Sequence, residues 1–548
     1  MSRGNPDREI ELKLLVPRKE AEHQVVSYLR EHGYRIEEAD PVRNLDVYLD
    51  TFDWSLLKHK LSLRYRSANG QAMYTLKSLG AIQEGIANRT ETEVPLDGPA
   101  SLPAELPVKR LRKVVEPLIF PRKLLERIQV STERRRYRLL SPEGAEIELA
   151  FDTSTFSPRG LDPPRRAPRL HEMEAEILKG PAGALNSLAS LLGETFSFPP
   201  STASKFQVGF EHLRMTIPSK KTPEKFRVVF NDRLDVALQK ILADQHRRFL
   251  EQLPGVRQDL DTEFVHQARV ATRRMRSAVR LFQGALPEKI ASYLAGELKW
   301  LGALLGAVRD LDVFVLNLSR FREQIKRFPV KKKKAFESWA EKNRRLPLKA
   351  LLEGLDSKRF QNFEGRFSRF LQKAPPARPR APLAMKPVKE MAPMIITEHL
   401  DAVLGQGKEV LAKPKLKQFH LLRIESKKLR YSLEFLAPAY EGALDPFVQK
   451  TVEIQDCLGE LQDTVFTRKY IDDLYEDWKG KLVNPELVFI LGEIYQLQGE
   501  IARARKETFG KIWEGFSSAE NINLTKEILV KSLGEESQAG LSSSEQPH

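Results

Sequence analysis

Charged and apolar residues alternate along several short segments in the first part of the chain. In Glu9–Lys13 the first, third and fifth residues are charged, and the two between them are apolar. Successive side chains of a β-strand point to opposite faces, so this segment predicts a strand with one charged face. One such strand is usually the solvent-exposed face of a sheet. Further strands, most with the same alternation, are predicted at residues 45–51, 61–66, 74–77, 89–93, 134–138, 146–152 and 172–177.

Turn signals join these strands into antiparallel pairs. Asn69-Gly70 lies between two of them, and Ser141–Gly144 lies between two others. Both sequences favour tight turns between antiparallel strands. Apolar positions at helical spacing predict helices at Lys19–His32 and around Ala184–Leu192. The first part of the chain therefore predicts an antiparallel sheet with flanking helices.

The charges of the predicted strands are sorted by sign. Acidic residues dominate the first strand and the last two, and basic residues dominate several strands between them. A closed sheet can hold its charged faces inside and its apolar faces outside, beneath helices. Because buried charges are costly without partners, such an interior would hold water, metal ions and an anion. Carboxylates suit hard cations such as Mg²⁺ or Mn²⁺, and arginine and lysine suit phosphate oxygens.

The pattern becomes helical after a linker at residues 216–225, which contains two prolines and several lysines. Beyond it, apolar residues recur at i, i+3, i+4 and i+7, which predicts an all-α domain over residues 226–515. Lys331–Lys334 and the proline- and arginine-rich stretch 374–387 are predicted to be exposed loops between helices. Residues 516–548 are predicted to form a tail that is partly disordered.

An internal repeat lies within the helical region. Residues 265–276 match residues 419–430 without a gap, and residues 305–310 match residues 458–463. Two copies imply two pseudo-symmetric helical bundles. In each copy His, Arg, Arg or Lys, and Arg follow at i, i+3, i+7 and i+10, which places them on one side of a helix along roughly 15 Å. One such row would be a solvated face, but a second matched row favours a binding surface.

Composition and charge restrict the class of protein. The chain has 548 residues, of which 41% are hydrophobic and 30% charged, as expected for a globular protein of two or more domains. A net charge of +15 implies an anionic partner, which can be nucleic acid, a membrane surface or polyphosphate. No apolar run is long enough to span a bilayer, and the N-terminal residues lack the apolar region of a signal peptide. The only cysteine, Cys457, is expected to be buried, and a reducing, cytoplasmic compartment is expected.

The motifs of the first region resemble the CYTH, or triphosphate tunnel metalloenzyme, family. They are Glu9-x-Glu11-x-Lys13, Asp50-Thr51, Arg64-x-Arg66, Thr75-x-Lys77, Arg89-x-Glu91-x-Glu93 and Glu172-x-Glu174-x-Glu176. The resemblance implies a CYTH domain over residues 7–215, folded as an eight-stranded antiparallel β-barrel tunnel that binds a triphosphate.

The same resemblance implies roles for individual residues. Those implied to bind metal are Glu9, Glu11, Asp152, Glu174 and Glu176. Those implied to bind triphosphate are Lys13, Arg64, Arg66, Lys77, Arg136 and Lys205. Those implied to be catalytic are Glu9, Glu11, Lys13, Arg64, Arg66 and Lys77. For Arg134, Arg135 and Arg138 a solvated strand face is an equally good interpretation.

The repeated rows resemble the CHAD domain, a helical polyphosphate-binding module named for its histidines. The resemblance implies that the two rows line a basic channel. Their members are His266, Arg269, Arg273, Arg276, His420, Arg423, Lys427 and Arg430. The second copy has Lys427 where the first has Arg273, and Gln462 where the first has Arg309. Lysine holds phosphate as a point charge without a bidentate fork, so the second half is expected to bind less tightly.

The leading hypothesis is an α+β protein that hydrolyses inorganic triphosphate with Mg²⁺ or Mn²⁺ and binds polyphosphate through its helical domain. One alternative is activity on an organic triphosphate, as a thiamine triphosphatase or a class IV adenylate cyclase. A second is a non-catalytic polyphosphate-binding protein. Under each of these hypotheses a cytoplasmic location, in association with polyphosphate granules, is expected. A further alternative, nucleic-acid binding, would require aromatic residues for stacking interleaved with the basic rows, and no aromatic residue lies between the members of either row. No specific nucleic-acid partner is therefore expected. No membrane partner is expected.

Overall fold

The computed structural model divides into two compact units, residues 1–220 and 221–548. It describes residues 8–17, 21–68, 70–79, 82–83, 86–96, 106, 109–120, 122–159, 169–181, 183–217, 222–324, 330–480 and 485–534. Within these ranges, no helix combines the length and the apolar composition needed to cross a membrane.

The first unit is built on an antiparallel sheet with helices against it. Its strands are β1 (Arg8–Leu15), β2 (Arg35–Asp50), β3 (Leu61–Ala68), β4 (Gln71–Ser78), β5 (Ile82–Gln83), β6 (Ile86–Leu96), β7 (Leu125–Leu140), β8 (Glu146–Pro158) and β9 (Leu170–Lys179). Its helices are α1 (Ala21–Glu31), α2 (Ser55–Lys58), α3 (Lys109–Ile119), α4 (Gly183–Thr195) and α5 (Lys205–His212). The eight long strands and the flanking helices confirm the predicted fold class.

The strands follow the order β1-β9-β8-β7-β2-β3-β4-β6, with the short β5 beside β6. β1 pairs with β9 over Glu11–Leu15 and, on its other edge, with β6 over Arg8–Leu12. Beyond Leu12 that second edge bonds to the segment 199–201 instead: the Leu15 N–H donates to the Pro199 carbonyl at 2.8 Å. The sheet is therefore not closed along its whole length, which corrects the expectation of a complete barrel, because a non-strand segment takes the place of β6.

Helices cover the apolar outer face of the sheet. α1 and α4 pack on β1, β7, β8 and β9, with Leu12, Leu149 and Leu188 among the buried residues. α3 packs on β2, β3 and β4 through Val115 and its neighbours. Each fully buried leucine or valine contributes about 1.5–3 kcal/mol, so these contacts fix which face of each strand points outward.

Helix α5 lies against the opposite, inner face at one end of the sheet. Its Phe206 packs in a cluster with Tyr48, Val130 and Phe156. A capping box formed by Ser204 and Gln207 fixes the start of this helix. The first residue of α5, Lys205, is thereby held close to the inner face.

The second unit is helical. It contains α6 (Leu234–Arg257), α7 (Thr262–Leu281), α8 (Glu288–Gln324), α9 (Val330–Asp356), α10 (Lys358–Gln372), α11 (Val388–Ala412), α12 (Leu416–Leu436), α13 (Asp445–Trp478), α14 (Pro485–Ser517) and α15 (Ala519–Gly534). Short 3-10 helices occur at Glu224–Phe226 and Ala437–Tyr440. The two matched rows lie on α7 and α12, and the two shorter matches lie on α8 and α13.

One prediction for this unit was wrong. Lys331–Lys334 was predicted to be a loop but lies in the first turns of α9, because lysine is a good helix former when the flanking sequence is helical. The predicted tail from residue 516 contains α15, and the tip that was predicted to be disordered lies outside the described residues. The loop at residues 374–387 is confirmed between α10 and α11, and Cys457 is buried as predicted.

Candidate active site and anion-binding surface

The strand register gathers the charged positions on the inner face. Residues that face each other across antiparallel strands lie on the same side of the sheet. Lys13 opposes Glu174, and Arg64 opposes both Tyr48 and Thr75. Tyr48 also packs near α5, on the inner side. The alternation seen in the sequence therefore separates a charged inner face from the apolar outer face.

A network of ion pairs, called here the inner charge cluster, occupies this face. Its members are Glu11, Lys13, Arg134, Asp152, Glu172, Glu174 and Lys205. The four carboxylates are each at most 8% exposed. The charges of its four acids and three bases sum to one net negative charge.

Lys205 lies at the centre of the inner charge cluster. Its ammonium is 2.6 Å from Glu174 Oε1, 2.7 Å from Asp152 Oδ2 and 3.5 Å from Glu172 Oε2. Burial alone would lower the pKa of Lys205, but these carboxylates outweigh it and raise that pKa well above the ordinary value. Lys205 is therefore charged throughout the physiological range.

Two further cations bind the same carboxylates. Arg134 donates two hydrogen bonds to Asp152, at 2.8 and 2.7 Å, and also contacts Glu174. Lys13 bridges Glu11 at 3.1 Å and Glu174 at 3.0 Å. Burial would raise the pKa of Glu174, but Lys13, Lys205 and Arg134 hold it well below its usual range. Glu174 is the most strongly neutralised acid of the cluster.

The chemistry of the cluster fits a hard divalent cation. Carboxylate oxygens are the ligands that Mg²⁺ and Mn²⁺ prefer. Glu172 Oε2 is buried and makes no hydrogen bond within the described part of the chain, and the net charge of the cluster is negative. Among the described residues, no three acidic, histidine or cysteine side chains are already arranged around one point as ligands. The carboxylates are turned instead toward Lys205 and Arg134.

A second group of polar side chains lies on β2, β3 and β4. Arg66 binds the fully buried Asp46 through two hydrogen bonds of 2.7 and 2.8 Å. Arg64 donates to Thr75 at 3.1 Å and lies 3.9 Å from Glu93. Burial would raise the pKa of Asp46, but Arg66 and Arg64 lower it below its usual value. Asp46 is thus a charged anchor that positions Arg66.

Other residues that were predicted to belong to the site lie outside the inner charge cluster. Lys77 is half-buried on β4, and Glu176 is exposed on β9. Arg136 donates to the Asp40 carbonyl at 3.2 and 3.3 Å and lies 3.8 Å from Glu148. The side chain of Glu9 lies outside the described residues.

Three members of the inner face were missed as site residues. Arg134 shares the parity of Arg136, so the alternation itself could have identified it, while Arg135 points outward to Glu22 at 3.4 Å. Glu172 belongs to the Glu172-x-Glu174-x-Glu176 motif, but no role was predicted for it. Asp46 carried no local signal, because only its pairing across β2 and β3 reveals its function.

In the second unit, α7, α8 and α12 contribute to a group named here the basic cluster. Its members are His266, Arg269, Arg273, Arg309, Arg423 and Lys427. Arg273 Nε donates to the Tyr431 hydroxyl at 2.7 Å, which links α7 to α12. The two matched rows therefore meet at this point, as the repeat suggested. Arg309 was recorded only as part of a matched motif and was missed as a site residue.

Burial and mutual repulsion perturb the basic cluster. Burial, together with repulsion from Arg309, Arg273 and Arg269, lowers the pKa of His266 to about 3. Burial, together with repulsion from Arg423, Arg273 and Arg269, lowers the pKa of Lys427 to about 7. His266 is therefore neutral at pH 7, and Lys427 is half protonated there. A group of crowded cations whose charged forms are disfavoured is suited to binding an anion.

The outer members of the two rows differ from the centre. Burial and repulsion from Arg280 lower the pKa of Arg276. Arg430 donates to Glu434 at 2.6 Å and to Gln455 at 2.9 Å, and Glu434 also binds Arg274. His420 is exposed and hydrogen-bonds Gln462 at 2.8 Å. The negative charge of Glu434 is therefore expected to weaken anion binding at the end of the second row.

Comparisons with known families match both units. The CYTH domain model matches residues 7–193, and the CHAD domain model matches residues 240–472. An uncharacterized protein of Mycobacterium tuberculosis (strain H37Rv) is 24% identical over 495 residues, which covers 86% of this chain and 90% of that protein.

Solved structures resemble each unit separately. The CHAD domain from the plant Ricinus communis is 21% identical, with a TM-score of 0.42, and covers 53% of this chain and 96% of that chain. A putative adenylyl cyclase from Hippeastrum, described as having a dominant triphosphatase activity, is 20% identical, with a TM-score of 0.27, and covers 37% of this chain and 95% of that chain.

Proposed function

We propose that this chain, in which a CYTH domain is followed by a CHAD domain, hydrolyses inorganic triphosphate with a divalent metal and binds polyphosphate. The observation that carries the proposal is the inner face of the sheet. On one surface it combines a buried carboxylate group at Glu11, Asp152 and Glu174 with arginines and lysines. Carboxylates for a hard cation beside bases for phosphate oxygens are what metal-dependent hydrolysis of a triphosphate needs.

The residues of the inner face have separable roles in this proposal. Glu11, Asp152, Glu172 and Glu174 would hold the metal. When bound, a metal of this kind neutralises phosphate charge and activates water. Arg64 and Lys77 would bind the phosphoryl oxygens and stabilise the charge that develops on them. Glu9 and Glu176 stay in the proposal as further metal-binding residues, and Arg136 as a further phosphate-binding residue.

The basic cluster is the proposed polyphosphate site. Its arginines and Lys427 crowd together where α7 and α12 are joined by the bond between Arg273 and Tyr431. A polyanion that binds among crowded cations offsets their mutual repulsion, which favours binding. Counterions released from the polymer add to the affinity. At pH 7 His266 would act as a neutral hydrogen-bond donor, because its pKa is about 3.

The hydrolysis proposal is tested by orthophosphate release from tripolyphosphate, thiamine triphosphate and ATP, each with Mg²⁺ or Mn²⁺. Tripolyphosphate is expected to have the highest kcat/KM. A higher value for thiamine triphosphate or ATP would instead favour an organic triphosphate as substrate. If none of the three is hydrolysed while polyphosphate binds, the chain is a binding protein.

The polyphosphate proposal is tested by competition on the full chain at fixed ionic strength. Long-chain polyphosphate is expected to resist displacement by duplex DNA at equal phosphate concentration. Joint replacement of Arg269, Arg273 and Lys427 by Met should reduce both its affinity and the salt dependence of binding. The matched control replaces Lys349, Lys469 and Lys479, which are exposed, and removes the same formal charge. Equal losses in the two triple variants would contradict a specific site.

The cysteine content bears on the cellular compartment of the protein. Cys457 is the only cysteine and is buried, so the fold has no intrachain disulfide to protect in a reducing compartment. We propose a cytoplasmic location, where polyphosphate granules would be accessible to the basic cluster.

A further inference from the structure

One lysine lies among the buried carboxylates that would hold a divalent cation. The Lys205 ammonium is 2.6, 2.7 and 3.5 Å from oxygens of Glu174, Asp152 and Glu172. Lys205 is 8% exposed, and Asp152 and Glu172 are each 2% exposed. A metal bound by these oxygens at about 2.1 Å would lie within a few ångströms of the ammonium.

We propose that Lys205 competes with the divalent cation for the carboxylates of Asp152, Glu172 and Glu174, and that the phosphate chain of the substrate draws it away. This inference rests on the proposed function, since it assumes that the inner face receives a metal and a triphosphate. Two cations at about 4 Å repel each other strongly in a buried site. The metal and the ammonium therefore exclude each other from this carboxylate group.

Lys205 is better suited to leave than the other cations of the inner charge cluster. Arg134 is held by a two-bond fork to Asp152 at 2.8 and 2.7 Å, a geometry that fixes the guanidinium. Lys205 is a point charge on a flexible stem of four carbons. Its backbone is fixed by the capping box of α5, so its side chain can swing from carboxylate to phosphate while the fold stays in place.

The exchange makes metal and triphosphate help each other to bind. A phosphate chain that takes the ammonium leaves the carboxylates with an uncompensated negative charge, which favours the metal. By linkage, the metal favours the triphosphate by the same factor. Oε2 of Glu172 makes no hydrogen bond among the described residues and only the 3.5 Å ion pair with Lys205, so its binding to the metal breaks no hydrogen bond.

The test measures Mn²⁺ binding to the full chain without triphosphate, by electron paramagnetic resonance of free Mn²⁺. Lys205→Met removes the competing charge and keeps the length and apolar character of the stem. Its Mn²⁺ Kd is expected to be at least about tenfold lower than that of the wild type. The control is Arg64→Met, which removes an equal charge from the same face at a side chain bonded to Thr75. Its effect should stay below about threefold.

Each outcome decides the proposal. Tightening in Lys205→Met alone supports it, and equal tightening in both variants, or no tightening, overturns it. If Lys205→Met is unfolded, recovery of its circular dichroism spectrum by Mn²⁺ supports exchange of the lysine for the metal. Failure to recover shows a purely structural lysine and overturns it.

The readout separates this inference from the proposed function. Hydrolysis of tripolyphosphate together with unchanged Mn²⁺ affinity in Lys205→Met would leave the function standing and remove the exchange. Tighter Mn²⁺ binding by Lys205→Met without hydrolysis of any triphosphate would support the exchange and contradict the proposed hydrolysis.

Discussion

Polyphosphate affinity should fall as pH rises through neutrality because of Lys427. Burial and the charges of Arg423, Arg273 and Arg269 outweigh the opposing effect of Asp463 and lower the pKa of Lys427 to about 7. A bound polyanion favours the charged ammonium, so binding takes up a proton whenever Lys427 starts out neutral. Polyphosphate affinity is therefore expected to be highest below pH 7 and to decline above it.

The magnitude comes from the protonated fraction. With a pKa of about 7, that fraction falls from roughly 0.9 at pH 6 to roughly 0.1 at pH 8. If only the charged form binds well, affinity falls about tenfold, or about 1.4 kcal/mol, across this interval. His266 adds little to the change, because its pKa of about 3 leaves it neutral at both pH values before binding.

Isothermal titration of the full chain with long-chain polyphosphate at pH 6 and pH 8, at constant ionic strength, measures this change. Lys427→Arg is the matched control, because arginine stays charged at both values; its affinity should change less than about threefold. An equal affinity of the wild type at the two pH values, or a tenfold fall in Lys427→Arg as well, would refute the assignment to Lys427.

Two other substitutions test the ion pairs. Asp46→Asn leaves the Arg66 guanidinium without its buried partner and should lower the free energy of unfolding, measured in urea, by on the order of 3 kcal/mol; Glu126→Gln on the exposed part of β7 should change it by less than about 0.5 kcal/mol, and similar losses would contradict the role of Asp46. Glu434→Gln frees Arg274 and Arg430 and should raise polyphosphate affinity about threefold to tenfold. A fall in affinity would show that Glu434 positions these arginines for binding.

The strand faces of the first unit were predictable, because a period of two is a local property of the sequence. That period placed Lys13 on the charged face of β1 and Glu174 on the charged face of β9, and the expectation of a closed sheet turned both faces inward. The opposition of the two residues across β1 and β9 agrees with it. The partner of each charge was not predictable. Parity alone could not distinguish the roles of Arg134 and Arg136, because these depend on how β7 registers with β2, where the pairing shifts between Ala39 and Val42.

In the helical unit, too, residues recognisable from local spacing were predicted, and contacts between distant helices were not. The matched rows identified Arg273 and Lys427, because a repeat at helical spacing is visible in one chain. Arg309 was missed because its match is Gln462, so the repeat itself weakened the signal. The pairing of Arg430 with Glu434 was readable, since residues at i and i+4 are neighbours on a helix. The bond between Arg273 and Tyr431 required the packing of α7 on α12.

Hydrolysis of tripolyphosphate by this chain should depend on a divalent metal and on the charge of Glu11. Orthophosphate release is followed for the wild type with Mg²⁺ or Mn²⁺, for the wild type in EDTA, and for Glu11→Gln, which keeps the shape of a buried acid beside Lys13 and removes its charge. Release by the wild type is expected only with metal, and folded Glu11→Gln is expected to lose at least about a hundredfold of the rate. Release that persists in EDTA, or in Glu11→Gln at the wild-type rate, would contradict it.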